Sequence, residues 1–185
     1  MHVAGTAPYP WPYDGRLDGA HLALVLPGWD EVWAGRALDV DAARDGCGSL
    51  AFATAAAGGL VVAVTHQGAT GLPLPVLGRT VTADGIDGFH GGPLDGILRR
   101  EGRTHLLVAG IGLEGPVHST LRSANDRGYE CLLVTDAVAP LTTTLVEASA
   151  KTVTMSGGIF GAIGATAATL AALRGAAIPS LVKES

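Results

Sequence analysis

Lysine is nearly absent from this sequence, occurring among 185 residues only at Lys151 and Lys183. Charge of any kind is thin, at 16% of residues, with 12 Lys and Arg against 17 Asp and Glu. A nucleic-acid binder needs a clustered basic footprint, so that class of function is not expected. Cysteine occurs only at Cys47 and Cys131, far apart, and the start Met1–Gly5 has no basic region followed by an apolar stretch. Two reduced thiols in a cytoplasmic protein are the expectation. Apolar stretches are broken by Gly, Thr and Ser well short of the roughly 20 residues that cross a bilayer, so no membrane span is expected. No His, Cys, Asp and Glu residues show metal-ligand spacing, and neither a metal nor a cofactor is expected.

What remains is a chain rich enough in apolar residues, at 48%, to bury one substantial core. Residues 1–20 read as an extended arm, because the alternating prolines of Pro8-Tyr9-Pro10-Trp11-Pro12-Tyr13 forbid a helix. Residues 21–175 read as a single domain and 176–185 as a tail. Within the domain, strands are expected at Leu22–Leu26, Leu60–Thr65, His105–Ala109, Cys131–Thr135 and Ile159–Ile163, with a short one at Thr80–Thr82. Helices are expected at Ala37–Ala57, Pro93–Glu101, Pro116–Arg127, Thr142–Met155 and Thr166–Leu173, and Gly68–Gly78 reads as loop. Strands that are apolar without alternation, separated by helices, indicate a parallel sheet covered on both faces. The class is α/β, doubly wound.

Several segments carry a more specific likeness. They are Arg122-Ser123-Ala124-Asn125-Asp126-Arg127-Gly128-Tyr129-Glu130-Cys131-Leu132-Leu133 with Asp136, Gly157–Ala162, the arm Tyr9–Gly15, Phe89 with Leu94–Arg99, and Gly110-Ile111. In order and spacing the chain resembles the isochorismatase-like cysteine hydrolases, most closely their ureidoacrylate-amidohydrolase-like branch. The resemblance implies a three-layer fold around a six-stranded, mostly parallel, Rossmann-like sheet. It also implies C–N bond hydrolysis by an Asp, a Lys and a Cys: a thiolate nucleophile, its base, and a cation that lowers the thiol pKa.

Carried over position by position, all three are missing. Where the base should end the first strand stands Pro27, in Val25-Leu26-Pro27-Gly28-Trp29. The cation's place, counted back from Phe89, holds Ala83, and the nucleophile's place, counted on from Gly110, holds Pro116. Proline also lacks the backbone N–H that would hold an oxyanion there, a donor whose loss typically costs about 10²–10³ in rate. Pro116 is comfortable as the first residue of a helix, so the replacement suits the fold while removing the reaction. The segment that covers the site in relatives is reduced to Gly68–Thr82.

The catalytic set is therefore expected to be empty, with a vestigial pocket near Phe89, Gly112, Glu114 and His118. Gly112 is read as the tight turn at which relatives have a cis peptide. The spacing Gly110-Ile111-Gly112-Leu113-Glu114-Gly115 imitates a dinucleotide fingerprint, which alone is a weak signal. Asp30-Glu31 reads as a solvated turn, Cys131 as a core thiol, and Cys47 as a thiol that could be reactive. The expectation is a pseudoenzyme acting as a structural or regulatory subunit, partnered by itself or by an active paralogue. The alternatives are a binder of ureido acids, amides or carboxylates, and a hydrolase with chemistry relocated to His118 or Glu114.

Overall fold

The computed structural model describes residues 17–176. The aromatic stretch Tyr9–Tyr13 and residues 177–185 lie outside the described residues. Most of the arm expected over residues 1–20 lies outside the described residues. Leu17 is fully buried, and Asp18 caps a 3-10 turn at Gly19–His21, accepting from Ala20 N–H at 2.9 Å.

Six strands follow: β1 (Leu22–Pro27), β2 (Leu60–His66), β3 (Arg79–Ala83), β4 (His105–Ile111), β5 (Glu130–Ala139) and β6 (Ala162–Gly164). They form one sheet in the order β3-β2-β1-β4-β5-β6, and every neighbouring pair is parallel. The helices are α1 (Glu31–Ala34), α2 (Val40–Ala56), α3 (Leu94–Arg100), α4 (His118–Asp126), α5 (Val146–Gly158) and α6 (Thr166–Ala176). The expected doubly wound α/β class is what the chain adopts, and the sheet is wholly rather than mostly parallel.

The apolar strand runs explain the layering. Successive β1 side chains point to opposite faces. Leu22, Leu24 and Leu26 join α2 and α6 in one core, while Ala23 and Val25 join α3, α4 and α5 in the other. All six residues of β1 are buried, so it has no polar face to give to solvent.

Several boundaries differ from expectation, each for a local reason. The helix expected over Ala37–Ala57 begins three residues later, at Val40, because Asp39 before it adopts a left-handed conformation (φ 52°). The helix expected from Pro116 starts at His118, and Pro116 lies inside a π-helical turn, Leu113–Val117. The helix expected over Thr142–Met155 begins at Val146, after a 3-10 turn at Thr143–Leu145, and its regular dihedrals end where expected, at Met155. The last strand begins at Ala162 instead of Ile159, and the short strand expected at Thr80–Thr82 extends to Arg79–Ala83 by pairing with β2.

Leu107 sits fully buried in mid-β4, paired with Leu24 and Leu132. Replacement Leu107→Ala should lower unfolding free energy by about 2–5 kcal/mol, measured by urea denaturation. A loss below half a kilocalorie would show that this layer is not close-packed.

Candidate functional site

In an open parallel sheet, ligands bind beyond the carboxyl ends of the strands, where the strand order reverses. Here the order reverses between β1, which leads outward to β2 and β3, and β4, which leads the other way. Pro27 ends β1, and the π-helical turn carrying Pro116 follows β4. Ala83 ends β3, two strands away from Pro27, in register with His66. The topology thus carries Pro27, Ala83 and Pro116 to the same edge of the sheet.

The chain after Pro27 closes over that edge. Gly28 takes a left-handed conformation (φ 68°) so tight that a Cβ there would lie 2.2 Å from the Ile111 carbonyl oxygen. Trp29 then turns inward, 2% exposed, donating its indole N–H to the Pro73 carbonyl at 3.2 Å. Asp30, expected in a solvated turn, is instead completely buried. A buried carboxylate must find donors, and Asp30 finds several. Its Oδ1 accepts from the N–H groups of Val32 and Trp33, both at 3.1 Å, capping α1. Its Oδ2 accepts from His66 N–H at 3.3 Å and contacts His66 Nδ1 at 2.9 Å. One carboxylate therefore ties the start of α1 to the end of β2.

That tie sets Trp33 across the cleft. Its ring meets His66 edge-on, with centroids 6.2 Å apart, and the Arg36 guanidinium stacks 5.6 Å from its centroid. Trp33 also lies on the glycines that follow β4. A Cβ at Gly112 would come within 3.2 Å of Trp33 Cε3 and 2.8 Å of Pro116 Cδ, and one at Gly115 within 3.2 Å of Trp33 Cη2. Gly112 is left-handed (φ 82°), and all described peptide bonds are trans, so the cis turn of relatives has no counterpart here.

Among the described residues, a cavity of about 10 Å³ lies here, lined by Pro27, Trp33, Thr65, His66, Ile86 and Pro116 together with Gly28, Val64 and Gly85. Such a volume admits no more than a single water. The backbone beside Pro116 is also committed. The N–H groups of Gly115 and Val117 both bond the Gly112 carbonyl, at 3.1 and 3.2 Å, and that of His118 bonds within the same turn.

The four residues expected to outline a vestigial pocket do not share one. Phe89 is 5% exposed, stacked on Tyr129 with centroids 5.8 Å apart and covered by Arg127. Glu114 braces a loop, its two oxygens accepting from Leu141 and Thr142 N–H at 2.7 and 3.1 Å. His118 is half-buried on α4, where desolvation and the nearby Arg122 hold its pKa below the usual value. Gly112 is roofed by Trp33. Sequence reasoning missed Asp30, Trp33 and His66, whose roles come from contacts between β1, β2 and the turn after β4.

No thiol reaches this cleft. Cys47 is fully buried on α2, its Sγ 3.2 Å from the Ala137 carbonyl, and burial pushes its pKa up to about 12. The expectation that it might be reactive is therefore corrected. Cys131 is buried in β5, as expected, and burial likewise raises its pKa. Lys151 is exposed on α5 and paired with Glu147 at 2.6 Å, while Lys183 lies outside the described residues.

A family model for the isochorismatase domain matches residues 72–168, more than half of the chain. The chain belongs to the isochorismatase family. Solved structures of low identity share its fold. A cysteine hydrolase from Pseudomonas syringae pv. phaseolicola superposes with a TM-score of 0.81 at 16% identity, covering 92% of this chain and 98% of that one. An isochorismatase family protein from Burkholderia thailandensis gives 0.70 at 24% identity, covering 86% and 98%. A nicotinamidase from Staphylococcus aureus gives 0.67 at 17% identity, covering 78% and 99%. Among the described residues, no group of three or more His, Cys, Asp and Glu could hold a metal, and no helix is long and apolar enough to cross a membrane.

Two measurements check this geometry. Neither thiol should react with an alkylating reagent at pH 7–8 in the native protein, and both should react once it is unfolded. Rapid native labelling of either would contradict the burial. Replacement Asp30→Ala should lower stability by about 2–4 kcal/mol, because a helix cap and the partner of a buried N–H are lost together. Unfolding curves that coincide with those of the parent protein would remove Asp30 as the tie.

Proposed function

We propose that this chain is a catalytically inactive member of the isochorismatase family that serves as a structural or regulatory subunit of a homo- or hetero-oligomer. One observation carries the reading: the crevice beyond β1 and β4 is closed to about 10 Å³, with Pro27 and Pro116 in its wall. Cysteine hydrolysis needs a thiolate, a base and room for a substrate carbonyl against hydrogen-bond donors. Here the thiols are buried elsewhere, the positions that match the family's triad carry two prolines and an alanine, and the N–H groups flanking Pro116 bond within their own turn.

Retention of a small-molecule site in this crevice would require Trp33 and Ile86 to move aside. Relocated chemistry through Glu114 would require it to release two backbone N–H groups. Among the described residues, His66 lines the crevice, and Asp30 lies behind it with Oδ2 2.9 Å from Nδ1, an arrangement in which a carboxylate orients an imidazole. It is the natural control for the inactive reading.

Purified protein should give no turnover of amides, ureido acids or esters above the uncatalysed rate, and a panel of these compounds should leave its thermal midpoint unchanged. Turnover that disappears in His66→Gln would replace the inactive reading with acid–base chemistry at this pair. Copurification from the native source tests the subunit role, which a strictly monomeric, partnerless protein would defeat.

A further inference from the structure

Helix α2 presents a stripe to solvent that neither core explains. Asp41, Asp45, Ser49, Phe52 and Ala56 are all exposed, with Gly48 half-exposed beside Ser49. Their spacing of three and four residues places them on one face of the helix. Phe52 is the large apolar member and is 71% exposed. Isolated apolar residues on a surface need no explanation, but this one stands between two grooves that meet at Ser49. On one flank, Phe52, Ala53 and Ala56 form an apolar groove of about 480 Å³ with Leu170 and Arg174 of α6. On the other, Asp41, Arg44, Asp45 and Gly48 face Pro73, Leu74 and Pro75 across a groove of about 530 Å³.

The stripe is complementary to itself. Its first half carries Asp41 and Asp45, with Arg44 beside them 3.8 Å from Asp41, so Asp45 is the carboxylate with no ion pair of its own among the described residues. Its second half is apolar and has Arg174 beside it. Its centre is the smallest pair, Gly48 and Ser49, where two helices can approach closely. A two-fold axis through that centre pairs Asp45 with Phe52 of the partner subunit, Asp41 with Ala56 of the partner subunit, and Gly48 with Ser49 of the partner subunit. Two-fold contacts require this kind of self-matching surface.

We propose that α2 is the seam of an antiparallel homodimer, with Phe52 of each subunit entering the Gly48–Leu74–Pro75 groove of the other. In that position the Phe52 ring comes against the partner's Arg44, a favourable cation–π arrangement. Arg174 of each subunit then lies toward the partner's Asp45, which sets the orientation by charge. Helix α6 and the Pro73–Pro75 loop flank the seam and widen it beyond one helix face. The interface names the surface for the subunit reading above and rests on its premise that the chain acts by association. It does not depend on the loss of catalysis.

The test is sedimentation equilibrium of the full chain. The parent protein should be a dimer, and Phe52→Asp, which brings a carboxylate to Asp45 of the partner subunit, should raise the dimer dissociation constant at least about 30-fold. Its far-ultraviolet dichroism should be unchanged, because the side chain is mostly exposed. Arg174→Asp and Asp45→Arg should each weaken the dimer, and combining them should restore it. A monomeric parent protein would overturn the seam and the homo-oligomer, while the inactive reading would still be judged by turnover. A dimer indifferent to Phe52→Asp would overturn the seam and leave the subunit role standing.

Discussion

The arrangement depends on β1 being flanked by β2 and β4 in a sheet buried on both faces. Ala23, Leu24 and Val25 pair with β2 on one side and β4 on the other. Because every side chain of β1 is buried, the strand cannot shift without exposing apolar surface. Its end is therefore a fixed point, and the chain beyond Pro27 must reverse directly over the crevice at which the strand order changes direction.

Closure of that crevice follows from the reversal. The tight left-handed turn at Gly28 brings Asp30 inward, and a buried carboxylate is stable only where donors surround it. Two of those donors open α1 and a third is the His66 N–H, so the contacts that satisfy the carboxylate also fix Trp33 over the glycines that follow β4. The Asp30 tie and the Trp33 cover leave hardly any cleft at all. On the outer surface, the exposed stripe of α2 is the feature that the core does not account for.

Much of the fold was legible in the chain. Runs such as Leu60–Thr65 and His105–Ala109 lack polar alternation, which only a doubly covered sheet explains, and the β-strands formed where those runs lie. Helix ends were less legible where backbone conformation depends on distant partners. Left-handed Asp39 delays the start of α2 to Val40, and the turn holding Pro116 winds as a π-helix under Trp33, so α4 begins two residues after the proline. At the candidate site, the residue types at Pro27, Ala83 and Pro116 could be named from likeness to the family. The fate of the space between them could not.

Sequence by itself determined the layer architecture, because apolar periodicity is a property of the chain at each position. Tertiary structure decided whether Asp30 was solvated or buried, whether Cys47 was reactive or inert, and whether the crevice was open. Those outcomes depend on which atoms from β1, β2, β5 and the turn after β4 come within a few ångströms, and residues so far apart along the chain meet only when the sheet has formed.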